Sequence, residues 1–254
     1  MKLLLRPLQF IYSIYGFLWF VVIMLVVLPF VIAASFFGTE KGGNFIYKVL
    51  KVWGFTWYAL IGIRHKNIYE VPHDINRPYI FVANHISFMD IPPIVVSMNQ
   101  PVRVLGKYEM VSYPVFGYIY KCAVILVDRR DAERRAQSVR EMKAALQKHI
   151  SIFIFPEGTF NETGAPLKEF FDGAFRIAIE TQTPIKPILF LDTVDRLHYR
   201  SIFTLSPGPC RVVLMEEVPV GELQMHDVAR LKEKVHKIME EGLLRYRGQE
   251  LKEA

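Results

Sequence analysis

Two short polar segments, each following an apolar run, hold the residues best able to do chemistry. Tyr79 to Ala83 leads into Asn84, His85, Ser87 and Asp90, and Ile152 to Phe155 leads into Pro156, Glu157, Gly158 and Thr159. A histidine and a carboxylate five residues apart can form a general base with its orienting partner. The carboxylate fixes the ring tautomer and stabilises the imidazolium as the ring takes a proton. The spacing is a weak signal alone, because the chain repeats it at His65/Glu70 and His236/Glu241. Context selects His85/Asp90. His65 sits between Arg64 and Lys66 and His236 lies in a charged terminal stretch, so both read as solvated surface residues. His85 instead follows a predicted strand. Ser87 and Asp90 fit a Ser-x-x-Asp capping box, a turn that brings Asp90 back toward the ring.

The second segment ends another apolar strand, on the side where α/β sheets tend to bind ligands. Gly158 allows close backbone approach, and Glu157 can accept hydrogen bonds from a polyol or orient a basic neighbour. The chain lacks Gly-x-Ser-x-Gly, which weighs against a serine hydrolase. No cluster of His, Cys or Asp has metal-ligand spacing, so neither a metal nor a bound cofactor is expected. Cys122 and Cys210 have no zinc or disulfide spacing and read as small apolar residues of a reducing compartment.

The elements that must position these segments alternate from Asn67 onward. Strands are predicted at 79–83, 103–106, 123–127, 151–155, 187–191 and 211–216, with helices at 88–98, 131–148, 173–181 and 227–245. That order predicts one α/β domain, a single mostly parallel or mixed sheet flanked by helices, over 67–246. Residues 247–254 read as a frayed tail. In the last helix Val228, Leu231, Val235 and Ile238 form a packing stripe.

Residues 1–66 read as a membrane-associated two-helix segment. No charged residue occurs from Pro7 to Thr39, a run longer than the roughly 20 apolar residues that cross a bilayer core. It is also far longer than a signal-peptide core of about 7 to 15 residues. Pro29 predicts a kink or break. A second helix over 44–63 places Phe45, Val49, Val52, Trp53 and Leu60 on one face, with Lys48 and Lys51 on a flank, as in a helix lying in a membrane interface. Basic residues flank both ends, so two helices dipping into the cytoplasmic leaflet are favoured over a true crossing. The net charge of +6 is not interleaved with aromatics as on a base-stacking surface, so anionic lipid is the expected partner rather than nucleic acid.

The two segments together resemble the glycerolipid acyltransferase family, most closely the 1-acyl-glycerol-3-phosphate acyltransferases. The first block, Asn-His-x4-Asp, stands at Asn84, His85 and Asp90. The third, Phe-Pro-Glu-Gly-Thr, runs from Phe155 to Thr159. Val124 to Arg129 resembles the second block and Thr183 to Ile188 the fourth. Order and spacing match over residues 79–190, and a two-helix N-terminus is family-like as well.

The resemblance implies transfer of a fatty acyl chain from a thioester donor to the hydroxyl of a lysophospholipid. The donor would be acyl-CoA or acyl-ACP (acyl carrier protein), and the acceptor lysophosphatidic acid, giving phosphatidic acid. His85 would be the base and Asp90 its orienter, with Glu157, Gly158 and Thr159 shaping the acceptor site. The family often continues its third block with Arg-Ser, where this chain has Phe160 and Asn161. The acceptor's phosphate then falls to Lys107, Arg129 or Lys168. Another lyso-lipid, including an amino-acid-based one, stays open as acceptor, as does a transacylase or hydrolase using the same dyad.

Overall fold

The computed structural model describes residues 2–128 and 130–253, and the side chains of 6–128 and 130–248. The uncharged N-terminal run forms α1 (Lys2–Ser35), which continues through both Pro7 and Pro29. The break expected at Pro29 therefore does not end the helix. Gly38, in the left-handed region at φ 75°, lets the chain turn back through Gly38–Gly42 into α2 (Gly43–Leu60).

The two helices pack on each other and on the sheet. Trp57 Nε1 donates to the Gly16 carbonyl at 2.8 Å, and residues from both helices share a cluster with the sheet core. Residues 6–35 are long and apolar enough to cross a membrane, and only 28% of an apolar 18-residue window within them is buried inside the protein. Leu18, Leu25, Val26 and Phe30 are exposed on α1, and Val52 and Phe55 on α2. The expected α2 stripe is thus divided, with Trp53 buried and Phe45 and Val52 exposed. Lys51 differs as well. It donates to the Met98 carbonyl at 2.9 Å and to Asn99 Oδ1, satisfying the carbonyl end of a short helix instead of reaching outward.

Seven strands form one sheet: β1 (Ile63–Tyr69), β2 (Ile80–Ala83), β3 (Val102–Lys107), β4 (Val124–Val127), β5 (Ser151–Ile154), β6 (Ile185–Phe190) and β7 (Gly208–Leu214). Their order is β1-β7-β6-β2-β5-β3-β4. Every neighbouring pair is parallel except β6 with β7, so the sheet is mixed. The central strands β2, β5 and β6 are buried throughout, which explains their near-continuous apolar runs.

Strand β1 was not anticipated from the sequence. It is an edge strand carrying His65, Lys66 and Asn67, and its charge hides the pattern. His65 is accordingly not a solvated residue: its Nε2 lies 2.9 Å from Asn67 Oδ1 and 3.2 Å from Ser97 Oγ.

Helices cover both faces. On one lie α1, α2, α3 (Ile91–Ser97) and α4 (Phe116–Ala123), over Phe81, Phe153 and Phe190. On the other lie α5 (Ala132–Gln147), α6 (Gly173–Thr181) and α8 (Val228–Glu253), over Val82, Ile152 and Leu189. A short α7 (Thr193–Arg196) follows β6. The helix expected at 88–98 is a 3-10 turn, Phe88–Asp90, followed by α3. Pro92 and Pro93 explain the division, because proline is tolerated in the first helical turn but not inside. In α8 the expected stripe packs inward, and the helix runs on past 245. His236 is part of that packing, with Nε2 3.1 Å from the Lys168 carbonyl and its ring against Phe170.

One buried cation joins the N-terminal hairpin to the sheet. Arg103 on β3 is 7% exposed. It donates to the Thr39 carbonyl at 2.8 Å and to Asn44 Oδ1 at 2.9 Å. Burial pushes its pKa down to about 10, and these neutral acceptors replace the water it has lost. Replacing Arg103 with Met should leave them unmatched and cost about 1–3 kcal/mol. Thermal unfolding in detergent measures the loss; an unchanged midpoint would count against the tie.

Candidate active site

Strands β2 and β5 are parallel neighbours, so their carboxyl ends open on the same edge of the sheet. Asn84 closes the end of β2 with its side chain. Its Nδ2 donates to the Phe190 carbonyl at 3.0 Å and its Oδ1 accepts from Phe190 N at 2.8 Å. The amide thus substitutes for a backbone step and fixes where the next residue, His85, begins.

His85 is held at its backbone by the second segment. Its N–H donates to Glu157 Oε1 at 2.7 Å, and its carbonyl accepts from Asn161 N at 2.7 Å. Its ring is held by Asp90. His85 Nδ1 lies 2.8 Å from Asp90 Oδ2, and that oxygen also accepts from the N–H groups of Ile86 at 2.7 Å and Ser87 at 2.8 Å. The capping box is present: Ser87 Oγ accepts from Met89 N at 2.9 Å and sits against the Leu197 carbonyl. Asp90 is fully buried while the His85 side chain keeps 17% of its exposure, so the ring can be reached and its orienter cannot. With Nδ1–H donated to a carboxylate, the lone pair is on Nε2.

Two aromatic rings enclose the imidazole. Phe155 stacks on it at 4.0 Å between centroids, and Phe160 meets it edge-on at 4.5 Å. Phe88 packs edge-on against Phe160 at 4.9 Å. This enclosure is not legible along the chain; Phe155 and Phe160 are adjacent to the motif, but ring contact is a property of the fold.

Glu157 is 1% exposed. Its second oxygen accepts from Lys168 N at 2.9 Å. Burial pushes its pKa up, and the N–H groups of Lys168 and His85 oppose that rise. The carboxylate thus joins three segments under the site. Gly158, at φ 75°, takes a left-handed turn that a side chain would strain. Thr159 Oγ1 accepts from Lys168 Nζ at 2.6 Å.

A cavity of about 680 Å³ opens beside this turn, lined by His85, Gly158, Thr159 and Phe160. Its walls are mainly apolar, from Phe20 and Met24 on α1, Trp53 on α2 and Phe116 on α4. Lys107 and Arg130 also line it. Lys107 is 71% exposed and 3.6 Å from Glu109. The structure therefore brings together His85, Asp90, Glu157, Gly158 and Thr159, with Lys107 on the same cavity. Arg129 lies outside the described residues. Among the described residues no group of three or more His, Cys, Asp or Glu could hold a metal ion.

Comparison with known proteins gives a consistent family. The family model described as Acyltransferase matches residues 62–191. A 1-acyl-sn-glycerol-3-phosphate acyltransferase of Cocos nucifera is 29% identical over 163 residues, 63% of this chain and 52% of that protein. The alpha form from Mus musculus is 28% identical over 165 residues, 64% of this chain and 58% of that protein. The chain thus spans about half the length of the coconut protein. The crystal structure of a 1-acyl-sn-glycerophosphate acyltransferase from Thermotoga maritima shares the fold, with a TM-score of 0.72 at 22% identity over 97% of this chain and 98% of that one.

The raised Glu157 has a consequence for stability. A carboxyl whose folded pKa exceeds its unfolded one, near 4.3, stabilises most below the unfolded value, and that contribution is lost as pH rises through the folded one. Glu157→Gln is neutral throughout. The melting temperature of the unaltered protein relative to this variant should therefore fall as pH rises above about 4. A relative rise over that range would contradict the assignment.

Proposed function

We propose that this chain, which belongs to the acyltransferase family, moves a fatty acyl group from a thioester to the free hydroxyl of lysophosphatidic acid, forming phosphatidic acid. The observation that carries the reading is an oriented histidine whose ring lines a mainly apolar cavity. The cavity suits a fatty chain, and its volume falls within the usual range of small-molecule sites, about 300–1,000 Å³. The acceptor is the one for which the similar enzymes of Cocos nucifera and Mus musculus are named.

In this mechanism His85 Nε2 takes the hydroxyl proton as the oxygen attacks the thioester carbonyl. Asp90 steadies the imidazolium. The tetrahedral intermediate then collapses, an ester bond replaces the carbon–sulfur bond, and the thiolate leaves with the proton returned from His85. The donor would be acyl-CoA or acyl-ACP. No covalent acyl-enzyme is needed. Glu157 acts as a positioning residue, while Gly158 and Thr159 shape the wall beside the base.

The exposed apolar faces of α1 and α2 support membrane association, with both helices dipping into the cytoplasmic leaflet. Both helices also line the cavity, which would let an acyl chain enter from the bilayer side. A second acceptor class, another lyso-lipid including an amino-acid one, is favoured by a single feature: Phe160, not a cation, meets the base edge-on.

Three measurements test the reading. His85→Ala should lose about 10²–10⁴-fold in acyl transfer while melting and membrane binding hold; full retained activity would refute the base. Thioester consumption should depend on lysophosphatidic acid, and hydrolysis indifferent to acceptor would favour a hydrolase. Leu25→Lys with Val26→Lys, at positions 50% and 60% exposed, should shift the protein from the membrane fraction to the soluble one. Unchanged sedimentation with membranes would exclude that face as the anchor.

A further inference from the structure

A second cleft adjoins the catalytic turn on its polar side. It holds about 480 Å³, and its polar lining is Glu157, Thr159, Lys168, Glu169, Asp172 and Lys232. Thr159 lines both this cleft and the apolar cavity, so one hydroxyl stands between a space for a chain and a space for charge. An acceptor with a fatty tail, a reactive hydroxyl and an ionic headgroup needs both.

We propose that Lys168 is the headgroup cation, binding the acceptor's phosphate monoester in this cleft. The inference rests on the lysophosphatidic acid reading above. Lys168 is fixed to the catalytic turn at two points: its backbone N–H on Glu157 Oε2 at 2.9 Å and its Nζ on Thr159 Oγ1 at 2.6 Å. Nζ also lies 3.5 Å from the Phe160 carbonyl. Glu157 links the same carboxylate to His85 N, so the cation and the base are set by one side chain.

Two neighbouring lysines are already paired, while Glu169 on this cleft and Arg130 on the apolar cavity carry no ion pair among the described residues. Lys232 pairs with Asp172 at 2.8 Å, and Arg176 stands 3.9 Å from the same carboxylate. Lys107 pairs with Glu109 on the other cavity. Glu157 is enclosed by N–H donors. Among the described residues no carboxylate lies within ion-pair reach of Lys168, while its ammonium carries three N–H groups. A phosphate arriving beside Thr159 would take the donor that the turn leaves over, and could displace the longer contact to Phe160.

The test compares the unaltered enzyme with Lys168→Met and Lys168→Arg in membranes, using lysophosphatidic acid. Lys168→Met should raise KM about 10- to 100-fold with kcat changed by less than about threefold, and Lys168→Arg should recover most of the loss. Inorganic phosphate should inhibit the unaltered enzyme competitively and Lys168→Met far more weakly. A fall in kcat with KM unchanged would make Lys168 a brace for the turn and overturn the proposal, as would phosphate inhibition equal in both proteins. If the unaltered enzyme acylates lysophosphatidic acid and Lys168→Met leaves its KM intact, only this assignment falls. If the unaltered enzyme transfers no acyl group to lysophosphatidic acid, the acceptor reading falls and takes the assignment with it.

Discussion

Everything at the site depends on one buried carboxylate joining two loops. Glu157 accepts from His85 N with one oxygen and from Lys168 N with the other. A buried acid in this position is costly unless its oxygens are matched, and here two backbone donors match them. The consequence is geometric. The loop after β2 cannot shift against the loop after β5 without stranding a charge or a donor in the interior. Asp90 completes the restraint from the other side, holding the ring of the same histidine whose backbone Glu157 holds. His85 is thus set by two acids with different tasks, one on the main chain and one on the imidazole.

The sheet makes this possible because β2 and β5 are adjacent and parallel. Residues about seventy positions apart in sequence meet at one edge, and Asn84 extends the arrangement to β6 through its bonds with Phe190. The N-terminal hairpin is part of the same construction. Its helices wall the cavity, and Arg103 fastens the turn between them to β3. An apolar segment that reads as a membrane anchor is therefore also one wall of the chamber beside the base.

Burial explains which expectations were met and which were not. The central strands, β2, β5 and β6, were readable because strands covered on both faces must be apolar throughout. The edge strand β1 was missed for the converse reason: one side meets water, so it carries Arg64, Lys66 and Asn67. His65 and His236 looked solvated because their sequence neighbours are charged, yet each ring turns inward to a partner. Lys51 likewise caps α3 instead of following its flank outward. Neighbour composition describes a segment's average surroundings; hydrogen bonding places an individual side chain.

By itself the sequence determined the α/β class, the apolar N-terminal helices, the His85/Asp90 pair with its capping box, and the Pro156–Thr159 turn. These are local matters of periodicity, turn chemistry and short spacing. Only the tertiary structure decided that Glu157 faces main-chain donors, that Phe155 and Phe160 enclose the ring, and that Lys168 reaches Thr159. Those contacts join groups brought together by strand order and loop path. Their partners are set by where the chain returns in space, which spacing along it does not record.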